Sequence, residues 1–513
     1  MSDKFQSGES GSRSNGSESS RTNPKDSGEA LAVPLRTKFF FGVGAGGEAA
    51  SMWIFNALGL LFYQQILGLP AGLAGTALAL AIFADAITDP LIGAISDRFR
   101  SRLGRRHPFL FTAPIPLAIC VFLIFHPPQF VVQSQTLLFS WLCLFTILQR
   151  TFQTFYVVPH LAMGAELSKD YLERTRVMAF NNLFGLYGGM LMHLIAWFLV
   201  FGFIFADQGA QLYRPAYTWI ALAACAIILV SIFACAFGTQ DQIDHLKSNE
   251  NNASGTLSFG SFYRDIWSVL RNRNYLYLLL GLFFLSLTIG THETLAIYMG
   301  TFFWELTPYQ IGFLVLNNII GVHVGFFLAA RLHDRFDKRW TISLSAIGLS
   351  VFWSMSANLA LLGAAPANAS WALVAFIIFL GSFSSFFGAV LNISVMSALA
   401  DIADEHELNT GMRSEGIFYS ARAFFAKAMN AVGHIVAGLA LQYYIALPPQ
   451  SVPGDVPADI IFRLGIVDGP LAMIGGIIAG VVYLGYRIDK TALGSIHQRL
   501  RQRQQEQEQQ SGL

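Results

Sequence analysis

Long apolar stretches recur along this chain and alternate with short polar segments. Each stretch reaches the roughly 20 residues that an α-helix needs to cross a bilayer. We therefore predict twelve transmembrane helices at residues 38–67, 71–97, 107–126, 136–166, 177–205, 216–238, 274–304, 308–333, 339–363, 370–401, 412–447 and 462–487. Prolines inside several of these stretches lead us to expect kinked helices.

Polar segments divide the chain into two halves of six predicted helices each. Residues 1–36 are rich in Ser, Gly, Asn and charge, which predicts a disordered tail, and residues 488–513 form a second tail rich in Gln and Arg. Residues 239–273 are polar and link an N-terminal half (37–238) to a C-terminal half (274–487). The pattern predicts an all-α integral membrane protein.

Charge is scarce and unevenly placed. Only 13% of the residues are charged, against about 25% in soluble domains. Lys and Arg concentrate in alternate loops, beginning with residues 98–106, so the positive-inside rule predicts that both termini are cytoplasmic. We expect the protein to lie in the inner (plasma) membrane. The chain has no Gly-Lys pair and hence no Walker A loop, and neither His-Glu-x-x-His nor Gly-x-Ser-x-Gly, so we expect neither a nucleotide-driven pump nor an enzyme.

Two carboxylates lie within the second apolar stretch. Asp85 and Asp89 are four residues apart, so on a helix they share one face. An ionisable group at this depth costs about 2.5–3.5 kcal/mol on insertion scales, and two on one face indicate a function such as replacing the hydration shell of a cation. The alternative is that Asp89 only packs against a polar neighbouring helix. Lys427, in the eleventh stretch, needs a partner, for which carboxylates of the other half are candidates, unless it extends toward an interface.

The two halves carry similar turns after their second helices. Gly93-x-x-x-Asp97-Arg98 follows the second stretch, and His333-Asp334-Arg335 follows the eighth, each with further basic residues behind it. Parallel repeats of this kind place a substrate cavity at their interface near the bilayer midplane. Two unrelated basic loops are the alternative interpretation.

These motifs carry a family resemblance. Asp85-Ala-Ile-Thr-Asp89-Pro90 with the following Arg-Ser-Arg-x-Gly-Arg, Val158-Pro159, and the segment from Ala400 through Arg413-Ser-Glu415 to Lys427 resemble the melibiose permease-like glycoside–pentoside–hexuronide:cation symporters of the major facilitator superfamily. The resemblance implies a secondary transporter that moves a glycoside or other sugar with H⁺ or Na⁺ by alternating access. The first motif is also similar to that of sodium-dependent lysophospholipid transporters, so a lysolipid-like solute is the alternative.

The resemblance also implies roles for individual residues. Asp85, Thr88 and Asp89 match the coupling-cation site, with Na⁺ possible at the two carboxylates, and Lys427 matches a lysine that links the cation and solute sites. Many sodium-using relatives have Asn where this chain has Thr88, which favours H⁺ without excluding Na⁺. The residues expected to contact the solute are Glu48, Ala49, Arg150, Thr151, Phe155, His292, Glu293 and Tyr298. Glu48 and Arg150 could pair with each other, contact a charged solute, or form a structural ion pair.

Clustered charges at the predicted cytoplasmic helix ends suggest a gate. Ion pairs between the halves there would stabilise an outward-facing state, whereas topology alone would explain the arginines but not the acids. The gate candidates are Asp97, Arg98, Arg105, Asp334, Arg335, Asp404, Arg413 and Glu415. We expect no cofactor beyond the coupling ion, no nucleic acid, and a monomer whose partners are a small-molecule solute, a monovalent cation and the lipid bilayer.

Overall fold

The computed structural model describes residues 33–168, 170–208, 210–248, 270–411 and 415–511, and within these residues all regular structure is helical. The long helices are α1 (Leu35–Leu61), α2 (Ala71–Arg98), α3 (His107–Phe125), α4 (Gln135–Glu166), α5 (Leu172–Ile204), α6 (Arg214–Gly238), α7 (Arg273–Phe303), α8 (Pro308–His333), α9 (Lys338–Leu361), α10 (Trp371–Thr410), α11 (Glu415–Leu439), α12 (Ala458–Tyr483) and α13 (Lys490–Ser511). Most of the predicted first tail and of the predicted linker lies outside the described residues.

Ten helices among the described residues are long and apolar enough to cross a membrane, namely α2, α3 and α5 to α12. Helices α1 and α4 have 27 and 32 residues, which is a sufficient length, but they do not meet the same apolar criterion. The all-helical membrane fold is therefore confirmed, while the count of twelve spans stays a prediction.

Local sequence signals fix several helix ends. The Asn272 side chain accepts a hydrogen bond from the backbone N–H of Tyr275 at the start of α7 (3.0 Å), which satisfies a donor that the helix cannot pair internally. The C-terminal end of α10 is marked by Gly411, which follows the last helical residue and adopts a left-handed conformation with φ 76°. This helix continues to Thr410, past the predicted apolar stretch that ends at residue 401, because a polar helical segment follows the apolar part.

Prolines divide or bend only some helices. Helix α3 consists of His107–Thr112 and Pro114–Phe125, interrupted at Ala113, whereas α2 and α4 run through Pro90 and Pro159. Short π-helical segments also occur, and they are Phe62–Ile66, Ile195–Ile204, Met299–Phe303, Ala440–Ile445 and Val467–Leu471. Following the predicted topology, we call the end with loop 98–106 the cytoplasmic end, and all five π-helical segments then lie toward the opposite, outer end.

The two halves meet along α2 and α11. A Cβ atom on Gly75 would lie 2.8 Å from the carbonyl oxygen of His434, and one on Gly438 would lie 2.7 Å from that of Ala71. Both contacts are closer than real Cβ atoms show, so only glycine allows this approach of the backbones. The seam between α2 and α11 therefore depends on Gly75 and Gly438.

Polar side chains join the halves at the outer end. The Gln64 amide donates to the carbonyl oxygen of Leu447 (3.2 Å) and accepts from the Tyr298 hydroxyl (3.1 Å), while Gln65 donates to Pro448 (3.0 Å). His193 on α5 contacts the carbonyl oxygen of Gly312 in the other half (3.0 Å). We call the set of Gln64, Gln65, Tyr298, Leu447 and Pro448 the outer contact; it closes the outer end of the molecule.

Candidate functional site

The face of α2 that carries the two carboxylates lies between α4 of the same half and α11 of the other half. Asp85 is buried, with 4% of its surface exposed, whereas the Asp89 side chain is 32% exposed. The two carboxylates that the sequence predicts on one face are thus in different environments, one enclosed within the N-terminal half and one at the interface between the halves.

Asp85 forms an ion pair with Arg150 of α4. The guanidinium Nη1 lies 3.3 Å from Oδ2 of Asp85, and the guanidinium carbon lies 5.1 Å from the centre of the Phe55 ring. Arg150 is itself only 6% exposed. Of the alternatives for Arg150, the structure shows an ion pair, but its partner is Asp85 and not Glu48.

Asp89 forms an ion pair with Lys427 across the interface. The distance from Nζ to Oδ2 is 2.6 Å, and the Thr154 hydroxyl donates to Oδ1 at 2.9 Å. The Lys427 side chain is 47% exposed, so an ammonium and a carboxylate from opposite halves meet at a position that remains open. The expected partner of Lys427, a carboxylate of the other half, is the one observed.

Two oxygen atoms beside these pairs have no hydrogen-bond partner among the described residues. They are Oδ1 of Asp85 and the hydroxyl of Thr88, both shielded from solvent. Orphaned buried acceptors are uncommon in folded proteins, and they can accept from a bound ligand. The two carboxylates and the two basic side chains together carry no net charge.

The solute candidates of the first half lie on α1 and α4. Glu48 and Ala49 are half-buried, and the Thr151 hydroxyl donates to the carbonyl oxygen of Ile147 in its own helix (2.8 Å). Phe155 packs with its ring centre 6.0 Å from that of Phe109. The structure therefore does not bring these four candidates together into one hydrogen-bonded group.

A polar group that the sequence analysis did not single out lies beside them. Gln149 donates to the hydroxyl of Ser51 (2.8 Å) and to the side-chain oxygen of Gln153 (2.7 Å), and all three residues are buried between α1 and α4. Burying polar amide groups within an apolar helix bundle costs free energy, as burying the carboxylates does, so this network is a further candidate for function. The sequence signal that could have identified this group is the spacing of Gln149 and Gln153, which lie one helical turn apart in an apolar stretch.

The candidates of the second half separate into three environments. His292 of α7 pairs with Asp468 of α12 (Nδ1 to Oδ1, 2.5 Å) and packs 4.2 Å from Trp353 of α9, measured between ring centres. Glu293 is exposed. Tyr298 belongs to the outer contact. Asp468, a single carboxylate in an apolar stretch, was missed although it meets the criterion applied to Asp85.

The cytoplasmic charges of the first half pair with one another. Arg106 Nη2 lies 2.7 Å from Asp97 and 2.5 Å from Glu166 at the end of α4, and Arg105 lies 3.3 Å from Glu166. Arg98 is exposed. These pairs hold the cytoplasmic ends of α2, α3 and α4 together.

The cytoplasmic charges of the second half also pair locally. Lys338 binds Asp401 (2.6 Å), and Asp404 binds His497 of α13 (2.9 Å). Arg335 is exposed. Of the other gate candidates, Arg413 lies outside the described residues, as do the side chains of Asp334 and Glu415.

Comparisons with known proteins agree with this architecture. A family model described as MFS/sugar transport protein matches residues 40–490. The "Uncharacterized symporter sll1374" of Synechocystis sp. is 26% identical, covering 93% of this chain and 98% of its own length. The "Putative glycoside/cation symporter YagG" of Escherichia coli is 24% identical, covering 85% and 88%.

A solved structure shows the same fold. The partially occluded, inward-open structure of the xylose transporter XylE from E. coli matches with a TM-score of 0.56 at 13% identity, over 89% of this chain and 98% of that chain. The fold, the apolar helices and the family match identify a multi-pass membrane transporter and not an enzyme. This chain belongs to the MFS/sugar transport protein family.

Proposed function

We propose that this protein is a secondary symporter that moves a glycoside or other small sugar together with a monovalent cation across the inner (plasma) membrane. The observation that carries the proposal is the contact between Asp89 and Lys427 (2.6 Å), because it joins a carboxylate of one half to an ammonium of the other. The relatives' descriptions support a sugar over a lysolipid-like solute.

Coupling would follow from competition at Asp89. A cation that binds this carboxylate displaces Lys427, which weakens the interface between the halves and allows them to rock. With the outer contact formed and Asp89 still one-third exposed, the structure is consistent with a state that faces the cytoplasm. The coupling ion is H⁺ or Na⁺, bound in the region of Asp85, Thr88 and Asp89.

The solute would bind near the bilayer midplane, between the halves. Glu48 supplies a carboxylate that can accept hydrogen bonds from sugar hydroxyls, and Phe155 supplies an apolar ring face. Thr151, Ala49, Glu293 and the amide pair of Gln149 and Gln153 are further contacts in this proposal. His292 and Tyr298, which are bound to other side chains, would act by positioning helices.

The proposal is tested by uptake into vesicles that contain the purified protein. A panel of glycosides, with a lysolipid as competitor, is offered under an imposed H⁺ gradient or an imposed Na⁺ gradient. We expect gradient-driven accumulation of a glycoside, and a loss of at least about tenfold in Asp89→Asn and Lys427→Ala, since about 1.4 kcal/mol of coupling corresponds to tenfold.

The matched control is Asp459→Asn, which removes a carboxylate from an exposed ion pair with Arg463 at the outer end of α12. It should accumulate the glycoside as the wild type does. Undiminished accumulation in Asp89→Asn would contradict the coupling role, and accumulation of the lysolipid alone would contradict the solute class.

A further inference from the structure

The two ion pairs of the cation site differ in how they connect the halves. Asp85 and Arg150 both belong to the N-terminal half, on α2 and α4, so a rocking motion carries them together. Asp89 and Lys427 belong to different halves, so the same motion separates them. Over a transport cycle, Asp85 keeps its basic partner and Asp89 loses and regains one.

Burial makes the first pair permanent. Arg150 and Asp85 are 6% and 4% exposed, and the guanidinium also lies over the Phe55 ring. Separating them would leave two unpaired charges away from water, which is strongly unfavourable. The second pair has no such constraint, because the Lys427 side chain is 47% exposed.

A metal cation has little to bind in this arrangement. Hard cations take several oxygen ligands at once, and negatively charged oxygens are the strongest of them. Arg150 already occupies Oδ2 of Asp85 at 3.3 Å and so places a fixed positive charge on the same carboxylate as the unpartnered Oδ1. A metal ion bound there would be repelled by the guanidinium.

We propose that Arg150 is a specificity-determining residue, a built-in cation on Asp85 that excludes Na⁺ from the site between Asp85 and Asp89. Asp89 is then the carboxylate of the pair that exchanges its partner in each cycle, so the site takes one positive charge. This inference rests on the proposed symport and narrows its coupling ion by disfavouring Na⁺.

The test measures Na⁺ binding directly, with Na⁺ itself as the probe. The midpoint of thermal unfolding of the purified protein is compared in NaCl and in choline chloride at equal ionic strength. The wild type should show the same midpoint in both salts. Arg150→Gln, which frees Asp85, should unfold about 1–2 °C higher in NaCl, as expected for a ligand that binds only the folded state of a chain of 513 residues.

Two further variants make the result interpretable. Arg150→Met also removes the charge but keeps an aliphatic side chain, so it replaces Arg150→Gln in the Na⁺ experiment if Arg150→Gln does not fold. Arg463→Gln makes the same change in the exposed pair with Asp459 and should gain no response to Na⁺.

Two results would overturn the inference. One is a Na⁺-dependent rise of the midpoint in the wild type, whatever the variants do. The other is folded Arg150→Gln or Arg150→Met protein that is indifferent to Na⁺. Neither result bears on glycoside accumulation in Asp89→Asn, so failure here is distinguishable from failure of the proposed symport.

Discussion

Ionisable side chains within the apolar helices pair in two ways in this protein. Arg150 with Asp85, and His292 with Asp468, are pairs within one half, whereas Lys427 reaches a carboxylate of the other half. Pairs of the first kind fix the position of helices within a half. A pair of the second kind can break and re-form when the halves move, and is therefore available for coupling.

The pair of His292 and Asp468 gives a stability prediction. Asp468→Ala leaves Nδ1 of His292 without this partner in a site that is almost fully buried, and should destabilise the protein by about 1–3 kcal/mol, the cost of an unpaired buried polar group. Removing both side chains should cost less than the sum of the single changes. The measurement is the midpoint of thermal or denaturant unfolding in detergent.

Asp459→Ala provides the comparison, because the Asp459 side chain is 69% exposed in its pair with the half-buried Arg463. Exposed pairs contribute about 0–1 kcal/mol, so this variant should unfold almost as the wild type does. Equal midpoints for Asp468→Ala and Asp459→Ala would show that the buried pair contributes nothing to stability.

The sequence was sufficient to identify most of the charged side chains within the apolar helices, but not to predict which residues they pair with. Asp85, Asp89 and Lys427 were predictable because each is costly in an apolar stretch. That Arg150 binds Asp85 depends on which face of α4 packs against α2, and no pattern within a single helix contains this information. Asp468 is equally costly in its apolar stretch and was predictable by the same criterion, whereas its pairing with His292 was not.

Helix–helix contacts decide which end of the molecule is closed. The seam between α2 and α11 is close at Gly75 and Gly438, and it lies directly below the outer contact. Helix bounds were predictable from hydropathy to within a few residues, except for α10, which continues past its apolar part to Thr410. Which helices pack against each other was not predictable, because a glycine on an apolar face indicates a close helix–helix approach but does not identify the partner helix.

This seam gives a prediction about conformation. Gly75→Leu adds a side chain where even a Cβ would lie 2.8 Å from the His434 carbonyl oxygen, so the outer end should no longer close. Overpacking of this kind costs about 1–3 kcal/mol, which should increase the outward-open fraction about tenfold. The measurement is thiol labelling of a cysteine placed at Ala71, which is 3% exposed at the outer end of the seam, in a background without native cysteines.

Gly59→Ala is the control, since its nearest neighbour, Leu78, would lie 3.9 Å from the added carbon. Its labelling rate should equal that of the parent. A Gly75→Leu protein that remains folded and labels no faster than Gly59→Ala would mean that the seam does not limit opening.

At the scale of the whole molecule, the buried apolar core is arranged unequally between the two ends. One cluster runs through the N-terminal half and includes outer residues of the C-terminal half such as Leu295 and Leu441, whereas residues such as Tyr275 and Phe418 form a separate cluster at the cytoplasmic end of that half. The halves are thus joined by apolar burial at the outer end. Hydropathy alone predicted two halves but not which of the alternating states they adopt.

A substitution in the proposed cytoplasmic gate should shift the conformational equilibrium in the opposite direction from Gly75→Leu, toward the inward-facing state. In this structure Asp97 binds Arg106 of its own half (2.7 Å), and we predict that these charges bind the other half when the outer end opens. Asp97→Asn should then weaken the outward-facing state, so the cysteine at Ala71 should be labelled about fivefold more slowly, corresponding to about 1 kcal/mol. Asp459→Asn, a carboxylate at the outer end, should leave the rate unchanged. Equal labelling of Asp97→Asn and the parent would mean that these charges determine topology but do not act as a gate.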